Sequence, residues 1–276
     1  MMMVMRDPDN MKAVSAATYA ATADHFDDPA LSFWDRFGRE TVARIGLRPG
    51  DRVLDACCGT GASALPAAAR VGTDGTVDAV DLSAPMVEEL RRFSAGLPQV
   101  RAHQADVTTW ETGGYDAALC ALGIFFFPDM TAGTRHLIGL TRPGGRVVFT
   151  IWRGDAMAAA GRHLGRAVAT VTGSGPPKER EPGLFDRINQ ADSYATWLTG
   201  LGLTEVDVAA HELRLTLTPE LAWLAITGSG YRGALNAVGP GLVDDVRARY
   251  LESLRREGIA EFDATTLIGT GRSPAR

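Results

Sequence analysis

Three aspartates and a pair of glycines carry the chemical signal of this chain. Asp55, Asp81 and Asp106 each close a short apolar run, and Gly59 and Gly61 follow the first of them in Asp51-Arg52-Val53-Leu54-Asp55-Ala56-Cys57-Cys58-Gly59-Thr60-Gly61. A glycine bend between a strand and a helix lets backbone approach a ligand closely, and the free N–H groups and dipole of the new helix favour an anion there. Carboxylates only accept hydrogen bonds, so acids at three successive strand ends suit a ligand with donors spread along its length. In an open parallel sheet such a ligand lies outside the carboxyl ends of the strands.

The elements needed to place these groups can be read in order. Two helices, over 11–27 and 33–45, precede the turn Arg48-Pro49-Gly50-Asp51 and the first strand. An Ala-rich helix to about residue 71 follows the glycine bend, then a strand over 76–81. Ser83 and Pro85 open the next helix, and Met86, Val87, Leu90 and Phe93 give it an apolar face. Strands are expected at 99–105 and 115–122, a helix to about 141, a turn at Arg142-Pro143-Gly144-Gly145 and a strand at 146–152. Five alternations of strand and helix make a parallel sheet covered on both faces. Beyond Trp152 the rhythm changes to helices over 157–171 and 191–201, a strand over 206–217, a helical insertion over 218–259 and a last strand over 261–270.

Composition narrows the partners. The 276 residues are 45% hydrophobic and 22% charged with a net charge of −5, which fits one large globular core and gives no electrostatic footprint for nucleic acid. Every basic residue except Lys12 and Lys178 is arginine. Cys57, Cys58 and Cys120 have neither the spacing nor the even count of a disulfide framework, so a reducing, cytoplasmic setting is expected and no metal-ligand set is assigned. Without an N-terminal apolar stretch or a run of ~18 apolar residues, neither export nor membrane insertion is expected.

The ordered set Val53-Leu54-Asp55, Gly59-Thr60-Gly61, Val80-Asp81-Leu82-Ser83, Gln104-Ala105-Asp106-Val107, Tyr115-Asp116, Phe126-Phe127-Pro128-Asp129 and Arg142-Pro143-Gly144-Gly145 resembles the class I S-adenosylmethionine-dependent methyltransferases, closest to the small-molecule and quinone type. The resemblance covers roughly residues 45–152. It implies a doubly wound, mostly parallel, seven-stranded Rossmann-like α/β sheet with an antiparallel last strand and helical insertions forming a lid. It divides the chain into an N-terminal helical segment (1–46), a cofactor-binding core (47–152) and a region with substrate-binding insertions at 153–200 and 218–259 (153–276).

For the cofactor, S-adenosylmethionine, the resemblance implies Cys57, Gly59 and Gly61 against the methionine part, with Asp55 near its ammonium. It further implies Asp81 on the ribose hydroxyls, Leu82 and Met86 beside adenine, Asp106 and Val107 at the adenine amino group, and Ala121 and Leu122 facing the transferable methyl. The residues name no catalytic base; Tyr19, His25, Tyr231 and Arg232 are the candidates. Trp34, Phe125, Phe126, Trp152, Trp197 and Trp223 could line an acceptor pocket. The expected partner is a small apolar or aromatic acceptor methylated on oxygen, nitrogen or carbon, and a homodimer is compatible with all of this. The alternatives are an NAD(P)-dependent oxidoreductase, since Asp81 lies twenty residues beyond Gly61, and a member of the fold that binds cofactor without methylating.

Overall fold

The structure is a computed structural model and describes residues 8–26, 33–175, 181–236 and 238–275. Helices α1 (Pro8–Phe26) and α2 (Phe33–Ile45) precede β1 (Arg52–Ala56), α3 (Ala64–Val71), β2 (Thr76–Asp81), α4 (Ala84–Phe93), β3 (Val100–Gln104), β4 (Tyr115–Ala121), α5 (Met130–Leu140) and β5 (Thr141–Trp152). Then come α6 (Ala158–Thr172), α7 (Leu184–Ile188), α8 (Ala191–Gly200), β6 (Thr204–His211) and β7 (Arg214–Thr216). The chain closes with α9 (Pro219–Thr227), α10 (Arg232–Asn236), α11 (Val243–Arg256), β8 (Glu261–Asp263) and β9 (Thr266–Arg272).

Seven strands form one sheet in the order β3-β2-β1-β4-β5-β9-β6, parallel except for β9, which runs against both neighbours. The apolar runs of β1, β2 and β4 are buried on both faces, and their alternate residues feed two cores. Val53, Val77, Ala117 and Leu119 meet α2, α3 and α4 through Val42, Ala67 and Leu90. Leu54, Val80, Ala118 and Cys120 meet α5 and α8 through Leu137, Ile138, Tyr194 and Leu198. A third core, built on Phe37, Leu164, Ala225, Tyr250 and Phe262, joins α6, α9 and α11 to the sheet edge.

Two expected strands are broken in two. The single strand expected over 206–217 is β6 and β7, and that over 261–270 is β8 and β9; β7 and β8 leave the sheet and pair antiparallel with each other at the root of the helical insertion. The corner is fixed by Asp263, whose Oδ2 accepts from Arg153 at 2.8 Å and lies 3.3 Å from Arg214, while its Oδ1 accepts from the Thr265 N–H at 2.9 Å. A period-two pattern of apolar residues carries no trace of such a side-chain anchor. The turn expected at 142–145 is the beginning of β5 instead: Thr141 pairs with Tyr115, and an irregularity separates that rung from the regular ladder beginning at Ala117 and Arg146.

Candidate functional site

At the carboxyl ends of β1 to β4 lies a cleft of about 1080 Å³, counting its open mouth. Along it stand Cys57 and Gly59 after β1, Asp81, Leu82, Ser83 and Met86 after β2, Asp106 and Val107 after β3, and Ala121 and Leu122 after β4. Nine of the cofactor residues expected from the sequence therefore share one wall. Asp55 and Gly61 stand outside that lining.

Asp81 is the hinge of the cleft. Its Oδ2 accepts from the Gly59 N–H at 3.0 Å and its Oδ1 from the Ser83 N–H at 2.8 Å, which ties the end of β2 to the glycine bend. Burial pushes this carboxyl above its usual range while the backbone N–H groups of Ser83, Gly59 and Leu82 pull it down. A carboxylate offers about four acceptor positions, so Asp81 keeps acceptor capacity for a ligand. Beside it the Ser83 hydroxyl is buried without a partner and lines the cleft. Ser83 occupies the N-cap position of α4 but its side chain makes no capping bond, contrary to the sequence expectation. A buried orphan hydroxyl beside a carboxylate with acceptor capacity to spare is what a vicinal diol such as a ribose would fill.

Asp106 differs because its charge is already answered. Oδ1 accepts from the Thr108 N–H at 2.9 Å and hydroxyl at 2.6 Å, and Oδ2 pairs with Lys12 Nζ at 2.6 Å. Against partial desolvation, Lys12 and Thr108 hold its carboxyl below the usual range. One acceptor position is left for an amino group.

Asp55 lies under the loop. It is fully buried, and both oxygens accept from the Ser63 hydroxyl, at 3.0 and 2.8 Å. Burial pushes its pKa up to about 8 while the Ser63 hydroxyl pulls it down, and the side chain is engaged under the bend. Gly61, at φ +106°, gives the bend a backbone conformation that side chains avoid.

The roof comes from α1 and α2. Lys12, Ser15, Ala16 and Tyr19 follow helical spacing along one side of α1 and line the cleft together with Trp34, Phe37 and Gly38 of α2. Of these, the sequence points only to Tyr19 as a candidate base and to Trp34 as an acceptor aromatic. The missed signal was the spacing i, i+3, i+4, i+7 in a helix with one of the chain's two lysines. The Tyr19 ring meets Phe126 edge-on at 5.3 Å; burial first, then Asp81 and Cys57, raise its pKa and keep the hydroxyl protonated. His25 sits in the last turn of α1, and its side chain lies outside the described residues.

Tyr231 and Arg232 are not in the cleft lining. The Tyr231 hydroxyl donates to the Met157 carbonyl at 2.9 Å and its ring packs over Gly161, so the glycine-flanked loop that looked suited to a ligand is packed against α6. Arg232 begins α10 with its Nε buried and unpartnered. Among the aromatics, Trp34 and Phe126 line the cleft, Trp152 packs behind Phe37 at 5.3 Å, Phe125 meets Phe185, and Trp197 and Trp223 pack on Tyr194 and Tyr250. Among the described residues the helical insertion supplies no lining residue, and it buttresses the roof, as where Trp34 Nε1 donates to the Gly228 carbonyl at 3.3 Å.

A sheet of this order, with a glycine bend and acids at the ends of β1, β2 and β3, defines the Rossmann-like fold of class I methyltransferases. Residues 53–145, about a third of the chain, match the family described as "Methyltransferase domain". It is 32% identical over 129 residues to the nocamycin O-methyltransferase of Saccharothrix syringae, a match covering 45% of this chain and 46% of that protein. To the aklanonic acid methyltransferase DauC of Streptomyces sp. (strain C5) it is 29% identical over 150 residues, covering 53% of this chain and 68% of that one. The chain thus spans about half the length of the first relative and about two thirds of the second. In structure it is similar to the Haemonchus contortus phosphoethanolamine N-methyltransferase 2 solved with S-adenosyl-L-methionine, with a TM-score of 0.56 at 15% identity over 99% of this chain and 60% of that one. Among the described residues no helix is long and apolar enough to cross a membrane.

Proposed function

We propose that this chain transfers a methyl group from S-adenosylmethionine to an oxygen, nitrogen or carbon of a small, apolar or aromatic acceptor. The observation that carries the reading is the sequence of groups along one cleft: Asp106 at one end, Asp81 and Ser83 in the middle, the Gly59 bend, then Leu122 and the aromatics Trp34, Phe37 and Phe126. Asp106 and Val107 would take the adenine edge, Asp81 with Ser83 the ribose diol, Leu82 and Met86 the adenine faces, and Gly59 the methionine portion. The cofactor supplies an already electrophilic sulfonium methyl. What the protein adds is position: Ala121 and Leu122 on one side and the α2 aromatics on the other would hold an acceptor in line, a contribution of up to roughly 7–11 kcal/mol.

The names of the two relatives support a natural-product acceptor, and that of the first supports oxygen as the methylated atom. With three free cysteines, the cytoplasm is the setting that suits the chain. Nothing in the comparisons supports the oxidoreductase alternative. Calorimetry with S-adenosylmethionine, S-adenosylhomocysteine and the nicotinamide dinucleotides tests the reading. Binding of both adenosyl compounds is expected; binding of a nicotinamide cofactor alone overturns it. Adenosyl binding with no methyl transfer to a panel of phenols, enols, acids and amines favours a non-methylating member of the fold.

A further inference from the structure

Two thiols meet at the floor of the cleft. Cys57 leaves β1 in a left-handed conformation, φ +56°, lines the cleft and is partly exposed. Cys120, on the neighbouring strand β4, is fully buried beneath it. Gly123 shows how close they come: a β-carbon added there would stand 2.8 Å from Cys57 Sγ and 2.6 Å from Cys120 Sγ, so both sulphurs crowd one point. Cys58, although adjacent in sequence, turns its Sγ to the Gly59 carbonyl at 3.6 Å.

We propose that Cys57 and Cys120 form an oxidation site whose disulfide disables the cofactor cleft. With hydrogen peroxide as oxidant, the Cys57 thiolate attacks one peroxide oxygen, the O–O bond breaks, and sulfenic acid and a first water result. The Cys120 sulphur then displaces the hydroxyl from Cys57 as a second water. Two thiols and one peroxide give one disulfide and two waters, the two electrons passing from sulphur to oxygen.

A disulfide needs its sulphurs about 2.05 Å apart. Cys57 must therefore move toward β4, drawing Cys58 and Gly59 with it and straining the 3.0 Å bond from the Gly59 N–H to Asp81. The hydrogen bond between the thiols, together with burial, keeps Cys57 protonated at neutral pH, so the reaction is slow there and quickens as pH rises. The oxidant reaches Cys57 through the cleft, so whatever fills the cleft protects it. The loss of cofactor binding rests on the proposed function; the cross-link itself does not.

The test uses the full chain, reduced and desalted, treated with hydrogen peroxide from about pH 7 to about pH 9 with and without S-adenosylhomocysteine. Peptide mapping is expected to show a dithiothreitol-reversible Cys57–Cys120 cross-link, faster at the higher pH and slowed by S-adenosylhomocysteine. The cross-linked chain should bind S-adenosylhomocysteine at least about tenfold more weakly, the scale of one lost buried hydrogen bond. Cys120→Ser should keep its affinity through the same treatment, and Cys58→Ser should still cross-link. A Cys57–Cys58 bond, over-oxidation of Cys57 without cross-linking, or a cross-linked chain with unchanged affinity overturns the proposal. A reduced chain that cross-links as described yet never binds S-adenosylhomocysteine sinks the proposed function and leaves the thiol pair standing.

Discussion

The two halves of the sheet present one continuous edge but are held together over different distances. In the β1-β2-β3 half, the terminal acids bind groups of their own or the adjacent loop, Asp55 to Ser63, Asp81 to Gly59 and Ser83, Asp106 to Thr108, with Lys12 as a distant partner of Asp106. In the β5-β9-β6 half, the strand ends Trp152, Thr266 and His211 form one rung across three strands. That rung is secured by partners far away in sequence: Thr41 hydroxyl to Thr150 hydroxyl at 2.7 Å, Arg153 to Asp263, Trp34 to Gly228. The terminal acids of the ligand-facing half are thus held mainly by neighbouring loops, while the other half is held mainly by segments distant in sequence. Damage to the first should show in affinity, and damage to the second in stability.

The contact most able to break this division is Gly38, where α2 crosses from one half to the other. A β-carbon there would lie 2.0 Å from the Ala62 carbonyl oxygen and 2.8 Å from the Ser63 nitrogen, both backbone atoms of the glycine bend. Backbone cannot swing aside, so Gly38→Ala must lift α2 from the loop. Destabilisation of about 3 kcal/mol is expected in urea unfolding, with loss of S-adenosylhomocysteine affinity in the same variant. Gly139→Ala, on an open helical surface with nothing within 4 Å, is the matched control and should stabilise by about 0.5–1 kcal/mol. Equal midpoints for the two variants would mean that α2 is seated elsewhere.

Asp81→Ala isolates the local half. It strands the Gly59 and Ser83 N–H groups and, on the proposed function, would leave a ribose diol without its acceptor, so S-adenosylhomocysteine affinity should fall by about 1–3 kcal/mol in calorimetry. Tyr231→Phe, on the other side, loses one bond to the Met157 carbonyl, costing about 1 kcal/mol of stability and leaving affinity unchanged. An affinity loss in Tyr231→Phe as large as that in Asp81→Ala erases the distinction between the halves.

Asp55 gives the local half a signature in pH. Its carboxyl, raised from 3.8 to about 8, keeps a proton that the unfolded chain has released. The folded state therefore binds more protons across that window, and this group's contribution to stability declines as pH rises from 3.8 to about 8, then levels off. Asp55→Asn keeps the shape and partner of the neutral acid. It should flatten the decline in Tm measured by calorimetry between those limits; an unchanged slope means Asp55 ionises normally when folded.

The same contrast explains what could be read in advance. The glycine bend, the terminal acids and the alternation of strand and helix are legible because each shows within a short stretch of sequence, as the pair Asp106 and Thr108 does. The break between β6 and β7 is not, because Asp263, some fifty residues on, turns that corner through Arg153 and Arg214. Tyr231 and Arg232 misled because a glycine-flanked loop has the same composition whether it holds a ligand or packs against a helix. For Asp55, the position at a strand end is visible in sequence, but its engagement by the Ser63 hydroxyl is a matter of side-chain direction.

Lys12 offers the smallest effect and the finest test, since it joins a distant segment to the local half. Its ion pair with Asp106 is short but only partly buried, with side-chain exposures of 24% and 22%, so solvent screens it and its worth is about 1 kcal/mol or less. Lys12→Met keeps the aliphatic stem over the cleft and removes the charge that pins α1 to the end of β3. S-adenosylhomocysteine should then dissociate a few-fold faster in stopped-flow fluorescence, because the roof opens more often. Wild-type release should also quicken as salt is raised from low to about 0.15 M, where the screening length is ~8 Å, while release from the variant stays flat. If both respond to salt alike, α1 is held down by Tyr19 packing on Phe126, and the charge at Asp106 is free to serve the ligand alone.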